Sequence, residues 1–332
     1  MHVGCQKALP VTRESMQYFK RHGVNHICAH PPDPGERGHW TVETIEQVRE
    51  TCKSNGITCE MVQVPYPRGF HLDRNPRSAI ALGQSPDRDR EIEHVQKMIE
   101  VMAKVGIPSF QYHISILGVL RTGRTPGRGG SSNSTWRLKD AKPERPLTRA
   151  GVVGADECWE RITYFLDRVV PVASQYKVRM AAHPHDPGLP SEGYQGVARV
   201  LGTPEGLYRF ISIKENPYHG LNLCLGTTAE MLRNPNKEIH IMIKRIGQAG
   251  KIFNIHFRNI VGGRDDFYET FPDEGDMNMV EVAKTLQETG YQYMVMPDHI
   301  PSHPNDTDTL QGFAFGYGYI KAVLAFLQTS SR

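Results

Sequence analysis

The stretch REIEHVQKMIEVMAKVGIPSFQYHI, residues 90–114, contains the unit from which the fold is built. Its first part has apolar residues three or four positions apart, which is the period of an amphipathic helix, and Gly106 follows as a helix-ending residue. The apolar stripe consists of Ile92, Val95, Ile99, Met102 and Val105. The next residues, 108–114, form a short β-prone run. The stretch therefore predicts one helix–strand step of an α/β protein.

The same alternation recurs along the whole chain. Several β-prone runs are apolar at consecutive positions, which is typical of strands buried on both faces of a parallel sheet. The predicted strands cover residues 2–6, 26–30, 58–64, 108–114, 178–184, 220–226, 252–259 and 292–299. Helical periodicity lies between strands, over residues 41–55, 90–105, 157–176 and 279–289.

Eight β-strand units in a chain of 332 residues predict a closed (β/α)₈ TIM-type barrel, an α/β fold. We expect residues 1–332 to form a single barrel domain. A doubly wound open sheet is the alternative. The absence of a GxGxxG sequence or a phosphate-binding loop after the first strand argues against it.

Composition and charge exclude several classes of protein. The chain is 39% hydrophobic and 23% charged, and its net charge of +3 is spread along the sequence. This pattern predicts no nucleic-acid partner. No apolar run reaches about 18 residues, so we expect no membrane span. The first residues lack the apolar segment of a signal peptide, which favours a cytoplasmic location. The six cysteines have no CxxC spacing and are interpreted as buried thiols or metal ligands.

Two long segments interrupt the alternation, at residues 65–90 and 118–150. Both are polar and rich in glycine, proline and arginine, and both follow a strand, so we expect them at the C-terminal mouth of the barrel. The second is interpreted as a lid, with a disordered insertion as the alternative. Its arginines, which either meet an anionic substrate or are solvated, are Arg121, Arg124 and Arg128.

The ends of the last four strands carry residues that bind metals. Strands five to eight end near His183, Cys224, His256 and Asp298. One such histidine or cysteine is more often structural, but four on consecutive strands at one rim favour a metal site. Two imidazoles, a carboxylate and a thiolate suit Mn²⁺, Fe²⁺, Co²⁺ or Zn²⁺ better than Mg²⁺ or Ca²⁺.

Further polar residues lie close to these strand ends. His185 follows His183, while His30 and His113 end the second and fourth strands. Single histidines at the mouth are candidates for binding substrate hydroxyl groups. Candidates for orienting the ligand histidines are Asp186, Glu215 and Glu269.

The chain resembles the mannonate dehydratases, a branch of the xylose-isomerase-like barrels. The matching motifs are HPHDPG at 183–188, GLNLCLG at 220–226, IHFRNI at 255–260, FYET at 267–270, MPDH at 296–299 and GYG at 316–318. The resemblance implies conversion of D-mannonate to 2-keto-3-deoxy-D-gluconate, by loss of water across C2 and C3. It also implies a Mn²⁺-type cation on the same four strand-end residues, and a homo-oligomer.

The resemblance also implies roles for individual residues. His299 and Tyr317 correspond to the acid and base, in an order that the sequence leaves open, and Arg258 would clamp the substrate carboxylate. Residues expected to contact the sugar acid are His113, His185, Asp186 and Arg121.

The chain departs from the family pattern near the site. His185 replaces an acidic residue, and His113 replaces an asparagine. Other differences fall at Pro272, at Asn278 and after Gly318. These differences keep the metal ligands and put the substrate in question.

Three alternative functions follow from the same residues. The first is a sugar isomerase, epimerase or lyase acting on another sugar or keto-sugar, although such barrels use carboxylate-rich ligand sets and the cysteine favours a dehydratase. A non-catalytic barrel would have lost a ligand, and none is lost. A zinc hydrolase acting on DNA would need a denser ligand set and a basic face.

Overall fold

The computed structural model describes residues 1–142, 144–189 and 192–330. Its strands, numbered in chain order, are β1 (His2–Cys5), β2 (His26–Ala29), β3 (Thr58–Gln63), β4 (Ser109–Tyr112), β5 (Gly123–Pro126), β6 (Ser132–Arg137), β7 (Arg179–Ala182), β8 (His219–Cys224), β9 (Ile252–His256), β10 (Asn259–Gly263), β11 (Asp266–Thr270) and β12 (Met294–Met296).

Eight of these strands form a closed parallel barrel. Their order around the barrel is β1-β12-β9-β8-β7-β4-β3-β2. Pairing of His2 with Met294 and of Val3 with Val295 joins the first strand to the last. The predicted barrel is therefore confirmed, each barrel strand lies within a predicted run or within one residue of it, and the open-sheet alternative is wrong.

The helices begin and end where local sequence chemistry places them. They are α1 (Arg13–Arg21), α2 (Val42–Ser54), α3 (Ala79–Leu82), α4 (Asp87–Val105), α5 (Ala155–Tyr176), α6 (Pro204–Ser212), α7 (Leu225–Ala229), α8 (Pro235–Gln248), α9 (Met279–Glu288) and α10 (Leu310–Ser330). The Thr41 side chain accepts a hydrogen bond from the Thr44 backbone and caps α2. Gly106 ends α4 in the left-handed conformation, with φ of 83°.

Apolar side chains fill the interior of the barrel. A cluster of buried residues from β2, β3, β7, β9 and β12 is separate from the larger core between strands and helices. We call this cluster the interior plug; it consists of Cys28, Met61, Ala181, Phe253, Met294 and Met296. The barrel is therefore packed through its middle, as TIM barrels are, and sites can form only at its two ends.

A second, antiparallel sheet stands at the C-terminal mouth, in the order β10-β11-β6-β5. Trp136 of β6 pairs with Phe267 of β11, and both side chains are buried. The disordered alternative for residues 118–150 is therefore wrong over the β5–β6 hairpin, whereas residue 143 lies outside the described residues. The predicted insertion 65–90 is also ordered and contains α3.

The helix α10 is long and apolar enough to cross a membrane by length and composition alone, which the sequence reading did not anticipate. It contacts β1, β12 and α9, and it buries Tyr317, Ile320 and Val323. A core helix passes the same test, and packing against the barrel accounts for this composition.

All six cysteines are buried free thiols, as predicted.

Candidate metal centre and active site

Four candidate ligands meet at the C-terminal rim of the barrel. Each offers an atom within 4.8 Å of the others, and all four side chains are buried. They come from β7, β8, β9 and β12, which are neighbours in the barrel. The residues are His183, Cys224, His256 and Asp298, so the predicted convergence is present in the structure.

The hydrogen-bonding atoms of this group fit a divalent cation. His183 Nδ1 lies 2.7 Å from the Pro184 carbonyl oxygen. Because that oxygen only accepts, Nδ1 carries the hydrogen and Nε2 keeps a free lone pair. His256 Nδ1 is buried without a hydrogen-bond partner and lies 3.4 Å from Asp298 Oδ1. Buried polar atoms normally have a hydrogen-bond partner. A buried ring nitrogen without one, beside a carboxylate and a thiol, is typical of a metal ligand in a protein that has not bound its ion.

The chain also orients one ligand from inside the barrel. The Asn222 amide lies 2.9 Å from His256 Nε2, and Asn254 donates to Asn222 Oδ1 at 2.8 Å. Both asparagines are fully buried. This amide pair fixes the imidazole plane with Nδ1 toward Asp298. As the contacts stand, Asn222 donates to Nε2, so a cation on Nδ1 requires both amides to turn over and Asn222 to accept from Nε2 through its oxygen.

The carboxylate of Asp298 is held in its charged form. Burial alone would raise its pKa, but His299 and His256 lower that pKa well below the ordinary value. Gln6 donates a hydrogen bond to Asp298 Oδ1 at 2.9 Å. Asp298 is therefore available as an anionic ligand.

A cavity of about 330 Å³ opens over the four-residue group, within the size range of small-ligand pockets. The group contributes His183, His256 and Asp298 to its lining. His113, Asp186 and His299 also line it, as predicted. Sequence reasoning missed other lining residues that end or follow the first, third and fourth strands, namely Gln6, Lys7, Gln63 and Gln111. Considering the polar residues near the C-terminal ends of all eight barrel strands, and not mainly of the last four, would have found them.

Lys7 is the one lysine or arginine that lines this cavity within the described residues. Its Nζ donates to Thr309 Oγ1 at 2.7 Å and lies 4.9 Å from the centre of the Phe313 ring. Partial burial lowers the pKa of its amino group. Lys7 is thus a partly desolvated cation that faces the cavity.

His299 lines the cavity and contacts two carboxylates. Its Nδ1 lies 2.9 Å from Glu269 Oε1, and its Nε2 lies 3.9 Å from Asp298 Oδ1. Desolvation lowers the pKa of His299, but Asp298 and Glu269 outweigh it and raise the pKa to about 10.

Behind the cavity, five buried residues form an arginine–carboxylate cluster: Arg121, Asp186, Glu230, Arg258 and Glu269. Arg258 lies 2.6 Å from Glu269, 2.9 Å from Glu230 and 3.0 Å from Asp186. Arg121 lies 2.5 Å from Asp186 and also pairs with Glu269.

This cluster requires a correction to two predicted roles. Arg258 is fully buried, and neither Arg258 nor Arg121 lines the cavity. Their guanidinium groups are occupied by carboxylates, so neither is positioned to clamp the substrate. Glu230, which the sequence reading did not consider, is also fully buried. Burial and the neighbouring Asp186 raise the pKa of Glu230 to about 8.

Three further predicted positions lie outside the cavity lining. His185 contacts the Ile114 carbonyl oxygen at 2.7 Å, and burial lowers its pKa to about 3. The Tyr317 hydroxyl is buried and lies 2.7 Å from Cys5 Sγ. Glu215 is an exposed residue four positions before the start of β8, at the end of the barrel away from the four candidate ligands, and is not placed to orient one.

Comparisons with known proteins decide the family. A family model described as D-mannonate dehydratase (UxuA) matches residues 137–329, more than half of the chain. The chain belongs to this family. Membership confirms the enzyme class predicted from the motifs, a hydro-lyase, and favours it over the sugar isomerase or epimerase alternative.

Individual members of the mannonate dehydratase family are similar over most of their length. The chain is 28% identical over 297 residues to a mannonate dehydratase of Thermotoga neapolitana, which covers 78% of each protein. It is 29% identical over 298 residues to that of Shouchella clausii, covering 78% of this chain and 77% of the relative.

Solved structures support the same fold. The crystal structure of mannonate dehydratase from Streptococcus suis serotype2 superposes with a TM-score of 0.80 at 22% identity, covering 97% of this chain and 93% of that one. A D-tagatose 3-epimerase-like protein reaches a TM-score of 0.62 at 16% identity over the whole of both chains. At these identities the likeness shows the barrel alone.

Most departures from the mannonate dehydratase pattern lie away from the cavity. Asn278 caps α9 by accepting from the Val280 and Glu281 backbone. The Pro272 carbonyl oxygen accepts from Asn259 at 3.2 Å. His113, by contrast, lines the cavity and stacks on His183 with ring centres 4.7 Å apart. Of these positions, His113 is the one placed to alter substrate contacts.

Replacing Arg258 by methionine should destabilise the protein strongly, because it leaves buried carboxylates without their cation. Breaking a buried ion pair costs about 3–5 kcal/mol, against about 0–1 kcal/mol for an exposed pair. We expect Arg258→Met to lower the free energy of unfolding in urea by the larger amount. The control is Arg90→Met, which removes an exposed pair with Asp87. If the two variants were equally stable and only Arg258→Met had a raised KM, Arg258 would instead be the residue that binds the substrate carboxylate.

Proposed function

We propose that the chain dehydrates a sugar acid, with D-mannonate as the first candidate, at a divalent cation held by His183, Cys224, His256 and Asp298. Family membership supports the reaction. The observation that carries the proposal is that these four side chains are buried with their ligand atoms close together beneath a cavity. The product is 2-keto-3-deoxy-D-gluconate.

We propose Mn²⁺ as the cation, with Fe²⁺, Co²⁺ or Zn²⁺ as alternatives, because the donors include two imidazoles and a thiol. When bound, such a cation supplies Lewis-acid stabilisation of the negative charge that develops beside the substrate carboxylate. The chain's own contribution is to fix the ligands, His256 through Asn222 and His183 through the Pro184 carbonyl.

Lys7 takes the role that the motif resemblance assigned to Arg258. The cavity needs a cation to bind an acidic substrate, and Lys7, the one lysine or arginine that lines it within the described residues, donates from its amino group to a neutral partner, the Thr309 hydroxyl. A charged hydrogen bond between its amino group and the substrate carboxylate would select acids over neutral sugars.

His299 is the proposed proton carrier. The reaction breaks the C2–H bond and the C3–O bond. His299 gives its Nε2 proton to the 3-hydroxyl, which leaves as water, and then takes up the proton lost from C2, and the enol that remains rearranges to the 2-keto product. His299 is the member of the predicted acid–base pair that lines the cavity. Glu269 holds its Nδ1, which directs Nε2 toward the substrate. The Tyr317 hydroxyl lies against Cys5, so we assign it no direct step.

The reaction and the cation can be tested together on purified protein. We expect turnover of D-mannonate with added Mn²⁺, loss of turnover with a chelator, and recovery when Mn²⁺ is restored, measured as appearance of the 2-keto-3-deoxy product by chromatography and mass spectrometry. A panel of other aldonic acids serves as the comparison. Turnover that persists after complete metal removal would contradict the proposal.

Removal of the Lys7 charge tests substrate binding. Lys7→Met should lower kcat/KM for D-mannonate roughly 10- to 100-fold, since a hydrogen bond to a charged group contributes about 1.5–3 kcal/mol, and Lys7→Arg should restore part of the loss. Arg124→Met is the matched control, because it removes a cation from the same face outside the cavity. Unchanged kinetics in Lys7→Met would exclude the contact.

Substitution of His299 tests proton transfer. His299→Asn should lower kcat by about 10²- to 10⁴-fold, the usual contribution of a general acid or base. Bound metal, measured by mass spectrometry of the dialysed protein, should stay at the wild-type level because His299 is not a proposed ligand. A loss of metal in parallel with activity would instead make His299 part of the metal site.

A further inference from the structure

Three potential metal ligands lie at the N-terminal end of the barrel, opposite the candidate active site. They are His2, His26 and Glu60, and their ligand atoms lie within 4.8 Å of one another. They come from β1, β2 and β3, which are neighbours in the barrel. All three side chains are partly exposed, so an ion from solvent can reach them.

Their contacts show that the three side chains are held together. His2 Nε2 lies 2.6 Å from Glu60 Oε2. The rings of His2 and His26 lie with centres 3.9 Å apart. The two rings are tilted by 40° to one another and lie beside one carboxylate, an arrangement that is unfavourable when both rings are charged. A neutral imidazole is the form that binds a metal ion.

The backbone of β3 is shaped to present Glu60. Ile27 pairs with Cys59 and Cys28 pairs with Met61, so Glu60 is the extra residue of a β-bulge. Bulges turn a side chain away from the direction that regular pairing would give it. The backbone carbonyl of Glu60 accepts a hydrogen bond from Ser109 Oγ at 2.7 Å, which anchors the bulge to β4.

This cluster is separate from the candidate active site. The interior plug fills the barrel between the two ends, and His26 and Cys28 lie two residues apart on β2. No residue of the N-terminal cluster lines the cavity at the other end.

We propose that His2, His26 and Glu60 bind a second divalent cation of the zinc class. Two imidazoles and one carboxylate suit Zn²⁺, and at a partly exposed site water completes the coordination. The ion would join the first three strands of the barrel and stabilise them. The proposal does not depend on the dehydratase reaction, because it concerns the opposite end of the barrel.

The test counts zinc ions. The full chain is dialysed against micromolar free Zn²⁺, and bound zinc is measured by mass spectrometry. We expect two zinc ions per chain in the wild type and one in His26→Ala/Glu60→Gln. Cys224→Ser should keep the zinc of the N-terminal cluster. The matched control, His240→Ala, removes a histidine on α8 that is bonded to Thr285 and should bind as the wild type does.

Activity separates loss of a site from loss of folding. His26→Ala/Glu60→Gln should retain Mn²⁺-dependent turnover. If no substrate is turned over, the variant should instead retain the circular dichroism spectrum of the wild type. In either case, the increase in Tm on adding Zn²⁺ should be smaller in the variant than in the wild type. A zinc count that is the same in the wild type and in the folded double variant would overturn the proposal. His26→Asp, which keeps a ligand at this position, should bind zinc more tightly than His26→Ala.

Discussion

Closure of the barrel between β1 and β12 is the constraint on which the other features depend. Pairing of the first strand with the last gives every strand two parallel neighbours and points all eight C-terminal ends toward one rim. Residues as distant in sequence as His183 and Asp298 become neighbours there. The interior plug then blocks the middle of the barrel, so the cavity at the rim is closed on that side.

The arginine–carboxylate cluster forms the wall behind that cavity. Arg121 and Arg258 face the carboxylates of Asp186 and Glu269, and the pKa of Glu230, raised to about 8, keeps this fifth member largely protonated at neutral pH. The buried charges therefore balance in pairs, which is the condition for keeping two guanidinium groups out of water. Glu269 also holds His299, so the wall sets the position of the proposed proton carrier.

The sequence predicted the barrel and the four rim residues because both follow from short-range patterns. Apolar runs and the glycines that follow several of the helices mark the strands, and parallel topology makes strand ends converge. It did not predict the β10-β11-β6-β5 sheet, because the segment of β5 and β6 is rich in glycine, serine and arginine and lacks a clear apolar alternation. The roles of Arg121 and Arg258 were wrong for a different reason. The Arg121 partner Glu269 lies 148 residues away, and no local pattern indicates that such residues pair.

The most direct test of the proposed centre is the absorption spectrum of the protein loaded with one equivalent of Co²⁺. A thiolate ligand gives a near-ultraviolet charge-transfer band, which the account predicts in the wild type and not in Cys224→Ser. Addition of D-mannonate should change the visible bands, because substrate binding in the cavity alters the metal environment. Binding of cobalt without the charge-transfer band, or a spectrum that does not change when D-mannonate is added, would contradict the account of a catalytic metal at these four residues.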